Sequence, residues 1–344
     1  MKKVLSLLIA SAFIFLVITN PKICTAGAAK GLILSGRVII PSLFPFTACV
    51  LFIMKSGGLD LLDFISPFTK KIFHLSSEQF SLMLLSFIGG YPVGAKLLNE
   101  SVRSGRLSKE NAGIMLNYCV NAGPAFIILA VGSEILGSKK IGYILLSAHL
   151  IASLILSLIL SLRIKNNCVL LKAKDNFDVA DNFVSSVSEA ASSVFSVCAY
   201  VILFSTVNEY LNHFCEKIPV LKSISSLLEV TNAVTNINNI IIIAFLLGFS
   251  GISVWCQILS VGKLIKINFP LFVLSRIAHG ALSALICAIL LKLFGIAVKT
   301  SAGIKYAANY DGTTLSISML SMVIVLIISL FSEKRTGNIF KDIV

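Results

Sequence analysis

Charge is scarce in this chain. Asp, Glu, Lys and Arg make up 13% of its 344 residues, against 56% hydrophobic residues and a mean hydropathy of +0.93. A soluble globular domain carries about twice that charged fraction, so the composition excludes one and defines a polytopic membrane protein. Paired cysteines are lacking as well. The eight cysteines stand apart, none in a CxxC, and most lie in apolar runs. They read as small buried hydrophobes, and neither a disulfide framework nor a metal site is expected. Also lacking are a Walker A sequence, GxSxG, HExxH and a spaced carboxylate pair on a helix. No enzyme, cofactor or metal chemistry is therefore expected. The net charge of +13 does not point to nucleic acid, because Lys and Arg are spread over short connections. Pairs such as Lys70 and Lys71, Lys139 and Lys140, and Lys334 and Arg335 fit membrane flanks instead.

Long apolar runs are what the chain has. About 20 apolar residues cross a bilayer, and windows near 4–19, 38–54, 141–162, 194–211, 268–294 and 313–331 qualify. Residues 1–19 also fit a secretory signal, but so many later spans favour a retained first helix. Lys2 and Lys3 favour an inside N-terminus. The segment LDLLDFISPFTKKIF (59–73) is amphipathic and too polar to cross, so it is expected along the interface. One sizeable polar stretch, 163–183, separates the two halves.

Four of the apolar stretches are interrupted. SFIGGYPVGAK (86–96) and NYCVNAGPAF (117–126) break the first half; LLEVTNAVTNINN (227–239) and LGFSGISVW (247–255) break the second. Val131, Gly132, Ala148, His149 and Ser153 recur 130 positions later as Val261, Gly262, Ala278, His279 and Ser283. Matched breaks in two halves point to a transporter binding site, because irregular backbone at membrane depth must line a protein cavity. A duplicated structural bundle with glycine-rich packing would leave the same text.

Each break carries candidate chemistry. Gly89, Gly90, Tyr91 and Pro92 would form a turn between half-helices, presenting free amides to an anion, with Lys96 adding charge. A surface loop with a snorkelling Lys96 is the alternative. Asn117 and Asn121 lie one turn apart beside Gly123, where they could meet a polar group, a cation or a neighbouring helix. Glu229, with Thr231 and Asn232, is a candidate proton or cation site, or an interfacial acid. Ser250 and Gly251 mark the fourth break. Arg276 sits within a span, where its planar fork suits a carboxylate. His149 and His279 read as packing contacts of duplicated helices.

Together SGRVIIPSLFPF (35–46), FIGGYPVGAK (87–96), NAGPAFI (121–127), LLEVTN (227–232) and GFSGISVWCQ (248–257) resemble the sporulation integral membrane protein YlbJ family, also called stage V sporulation protein V. The resemblance runs in order through most of residues 30–295. It implies a Gate-domain (nucleoside-recognition) membrane protein, distantly like concentrative nucleoside transporters. The fold it implies is an all-α polytopic bundle of two inverted repeats, each with a re-entrant hairpin followed by a broken helix. FIGGYPVGAK and LLEVTN would be the hairpin tips. Asn232 and Ala233 stand where a glycine turn is expected, and the nucleoside motifs are incomplete. The chain then divides into an N-terminal transmembrane helix (1–30), a first repeat (31–162), the polar connection (163–183), a second repeat (184–295) and a C-terminal transmembrane helix with a short tail (296–344). The implied function is transport of a small anion, dipicolinate, across the outer forespore membrane. The implied partners are the lipid bilayer and a coupling proton or cation, with oligomer formation open. A non-transporting organiser of sporulation proteins and a nucleoside carrier are the alternatives.

Overall fold

The computed structural model describes residues 2–164, 178–214, 226–237 and 239–296. The span expected over 313–331, most of the connection 163–183, Cys168 and Cys215 lie outside them. Within the described residues the secondary structure is helical, with no strand, and the six cysteines there are free thiols. Among the described residues five helical stretches are long and apolar enough to cross a membrane: Pro21–Lys55, Lys139–Arg163, Val179–Phe214, Ile240–Val261 and Phe269–Leu293.

Helices α1 (Lys2–Thr19) and α2 (Pro21–Leu34) are separated at Asn20, where Pro21 supplies a helix start. The Tyr210 hydroxyl donates to the carbonyls of Leu16 and Asn20 (3.0 and 3.1 Å), tying that corner to α9 (Val179–Phe214). Gly27 and Gly31, four residues apart, let α2 lie directly on α9. A methyl group on either would come within 2.6 Å of the Thr206 or Ile202 Cα. This is the small-residue packing that helices use in membranes, where burial of apolar surface gives no driving force. A wide π-helical turn, Ser35–Ile39, leads into α3 (Ile40–Lys55), which contains Pro45. Beyond it, a 3₁₀ stretch (Gly58–Ile65) and α4 (Ser66–Phe73) expose Phe64, Phe68 and Ile72. That apolar face suits an interfacial segment.

The four breaks interrupt the helices where the sequence places them. Helix α5 (Ser77–Gly89) opens with a reciprocal Ser76–Gln79 capping box and stops at Gly90. The φ of +90° at Gly90 is one that a side chain would strain. Pro92 then starts α6 (Tyr91–Arg103). Helix α7 (Lys109–Met115) unwinds through 116–123 and resumes at Pro124 into a π-helical run, Phe126–Ile135. Ser138 caps the uninterrupted α8 (Lys139–Leu160). In the second half the chain leaves a helical turn at 226–228, passes Glu229, and enters α10 (Val230–Asn236). Asn239 caps α11 (Ile240–Phe249). Ser250 and Gly251 both take positive φ, 71° and 77°, before α12 (Gly251–Val261). Ser250 holds this left-handed turn with its hydroxyl on the Phe249 carbonyl (2.6 Å). Asn268 caps α13 (Phe269–Leu293).

The breaks pack in pairs. A methyl group on Gly123 would lie 3.4 Å from the Gly90 Cα, and one on Gly251 would lie 3.2 Å from the Val230 nitrogen. The first break thus rests on the second, and the third on the fourth. Within the second half, Gly248 of α11 meets Gly280 of α13, where an added methyl would come within 2.7 Å. The joints between the halves lie elsewhere, at several levels. His149 of α8 faces His279 of α13, with ring centroids 4.5 Å apart. The Leu264 amide donates to Asn99 Oδ1 (2.9 Å), and the Lys266 amide to the Lys109 carbonyl (3.1 Å).

Candidate functional site

All four breaks border one cavity of about 50 Å³. Tyr91 and Pro92 come from the first break and Gly123 from the second. Glu229, Val230 and Thr231 come from the third, and Val254 and Gln257 stand just after the fourth. Ile39, Ser42 and Leu43 beside the π turn, together with Val197 and Val201 of α9, close the remaining wall. The lining is mostly apolar, with polar groups concentrated at Tyr91, Ser42, Thr231, Gln257 and Glu229. No Lys or Arg lines it among the described residues. A water needs roughly 10–15 Å³ of such space, so the cavity has room for roughly three to five.

The side chains expected to form the site divide into two groups. Tyr91, Pro92, Gly123, Glu229 and Thr231 line the cavity, and Gly89, Gly90, Ser250 and Gly251 shape the breaks that border it. Asn232 is on α10. Glu229 is 1% exposed, a buried acid.

Lys96, Asn117, Asn121 and Arg276 do not line the cavity. Lys96 lies on α6 past the tip and turns to α9. There it donates to the Glu189 carbonyl and Ser193 Oγ (both 2.8 Å) and pairs with the Glu189 carboxylate (3.4 Å). Lys55 reaches the same carboxylate at 2.5 Å. The Asn117 amide donates back to the Gly113 and Ile114 carbonyls (2.9 and 3.0 Å), and its oxygen accepts from Ser275 (3.0 Å). The Asn121 amide donates to the Tyr118 carbonyl (2.8 Å). These amides hold the unwound segment, and the buried Asn121 Oδ1 accepts no hydrogen bond. Arg276, fully buried, donates to the Val120 carbonyl (2.7 Å) and the Asn117 carbonyl. In this structure α9 engages Lys96, and the freed carbonyls of the second break engage Arg276.

The histidines also serve the second break. His149 Nε2 accepts the Ala122 amide (3.0 Å), which leaves its proton on Nδ1, and His279 Nε2 contacts the His149 carbonyl (3.0 Å). Across the halves, the Tyr91 hydroxyl donates to the Leu247 carbonyl (2.7 Å). Sequence reasoning missed Ser42, Gln257 and the apolar wall. Gln257 had a local signal, since it stands four residues after Ser253 on one face of an otherwise apolar helix.

Apolar helical stretches, irregular backbone at four buried breaks and a shared polar-tipped cavity define an all-helical integral membrane protein. The chain is 24% identical over 343 aligned positions to "Sporulation integral membrane protein YlbJ" of Bacillus subtilis (strain 168), covering 85% of this chain and 84% of that protein. No protein-family model and no solved structure matches it.

Proposed function

We propose that the protein is a secondary transporter or facilitator for a small aromatic dicarboxylate, dipicolinate, acting at the outer forespore membrane during sporulation. The observation that carries this reading is the convergence of four helix breaks on one cavity with a buried acid. Similarity to a sporulation integral membrane protein supports the setting. In this reading the halves, 31–162 and 184–295, are inverted Gate-like repeats. The pairing of first break with second and third with fourth, and the tips at Tyr91 and Glu229 meeting in one cavity, support that arrangement.

Glu229 sets the mechanism. An ionised carboxylate on the cavity wall repels a dianion beside it, so in this reading the anion enters with Glu229 protonated and a proton accompanies it. The amides freed near Gly90 and Gly123 then supply positive potential without a fixed charge. Uptake of labelled dipicolinate into proteoliposomes is expected to rise as the pH of the substrate side falls. Glu229→Gln should bind dipicolinate and lose that dependence. The difference between neutral and ionised carboxyl is about tenfold in apparent affinity, equivalent to about 1.4 kcal/mol. Absence of dipicolinate uptake at every pH would refute the transport reading. It would favour an organiser of sporulation proteins if the Glu229→Gln variant still supports normal spores. The absence of a lining cation also favours a second reading, an uncharged nucleoside, and labelled uridine in the same vesicles separates the two.

A further inference from the structure

We infer that Arg276 is a tethered cation: it fills the carbonyl site opened by the second break, so that site takes no sodium or potassium ion. The inference bears on how the proposed transport is driven, but its test does not depend on transport.

Unwinding after Met115 leaves carbonyls without helical partners, and these lie at the negative end of α7. In broken membrane helices such carbonyls coordinate the coupling cation. Here the Val120 carbonyl accepts from one terminal nitrogen of Arg276 at 2.7 Å, and the Asn117 carbonyl accepts from the other. Arg276 and Val120 are both completely buried, and Asn117 is nearly so. Among the described residues no carboxylate pairs with Arg276; the Phe272 ring, 5.6 Å from the guanidinium carbon, is its other cation-stabilising neighbour. A buried guanidinium held by carbonyl dipoles is what a bound metal cation would look like with the ion replaced by a side chain.

The other half gives a contrast. The carbonyl 130 residues after Asn117 is that of Leu247, and a neutral donor, the Tyr91 hydroxyl, satisfies it (2.7 Å). The residue 130 before Arg276 is Leu146, which brings no charge. The two equivalent breaks are therefore capped from the opposite half, one by a fixed cation and one by a hydroxyl.

The test uses purified full-length protein in detergent, with fluorescence of the single tryptophan, Trp255, reporting unfolding. Trp255 packs against Phe249, Phe269 and Phe272, and Phe272 is the ring beside Arg276. Wild-type protein should unfold at the same temperature in sodium, potassium and choline chloride of equal ionic strength. Arg276→Gln should be weakened in choline and recover in sodium or potassium with a saturable rise of about 5 °C. Arg276→Lys, which keeps the tethered charge, should be indifferent to the salt. Stabilisation of the wild type by sodium or potassium over choline would overturn the inference, as would equal stability of Arg276→Gln in all three salts. Should Arg276→Gln yield no folded protein, Arg276→Lys decides. Salt-indifferent folding supports the inference, while salt dependence or failure to fold overturns it. Dipicolinate uptake can fail without changing any of these outcomes.

Discussion

Gly94→Val is expected to leave no monodisperse protein after detergent extraction. Gly94 lies on α6, four residues past the turn at Gly90, and faces the unwound segment after α7. A methyl group there would overlap the Cys119 carbonyl oxygen and press on Ser86 Cβ at 3.1 Å. The obstruction is backbone, so no rotamer change relieves it. Moving the carbonyl means moving the segment that Arg276, Ser153 and His149 hold. Overpacking of a tight core commonly costs about 1–3 kcal/mol. A rigid backbone neighbour places this case at or above the upper end. Gly123→Ala is the control, because its methyl meets nothing closer than 3.4 Å. It should be extracted and run like the wild type, and comparable loss of both variants would contradict the packing described for α6.

Glu189→Ala should be the next most damaging change. Glu189 on α9 receives Lys55 from α3 at 2.5 Å and Lys96 from α6 at 3.4 Å. The lysine side chains are each 17% exposed and Glu189 is 32% exposed. Removing the acid leaves two largely buried ammonium groups facing each other. Breaking a fully buried pair costs about 3–5 kcal/mol, and partial exposure reduces this to about 2 kcal/mol. The sign follows from the asymmetry of burial: adding Lys55→Met and Lys96→Met to the Glu189 variant should restore most of the loss, because no uncompensated charge then remains. Thermal unfolding of the single, double and triple variants measures it. If the triple variant is no more stable than Glu189→Ala alone, the network is not what holds α9 to α3 and α6.

The breaks were legible because glycine and proline act locally. Gly90 with Pro92, Gly123 with Pro124, and Gly251 each impose a backbone event that neighbouring residues cannot mask. Glu229 was legible because a lone acid in apolar text is costly to bury without a purpose. The roles of Lys96 and Arg276 were not legible, since a cation's sequence neighbours do not reveal its spatial partners. Glu189 follows Lys96 by 93 residues, and Val120 precedes Arg276 by 156. The cavity wall formed by Ile39, Leu43, Val197 and Val201 had no signal either, because these residues look the same facing lipid or a cavity. The packing of α2 on α9 did have one, the Gly27–Gly31 spacing.

The account rests on the cavity being a chamber that substrate reaches, and cysteine accessibility tests that most directly. Gly123→Cys, placed in a chain stripped of the eight native cysteines, puts a thiol at the cavity wall. In membrane vesicles a small charged methanethiosulfonate reagent should label it, and dipicolinate, but not an equal concentration of an inert anion, should slow that labelling about tenfold or more. A thiol that remains unreactive from both sides of the membrane, or one whose labelling dipicolinate leaves unchanged, would contradict the account.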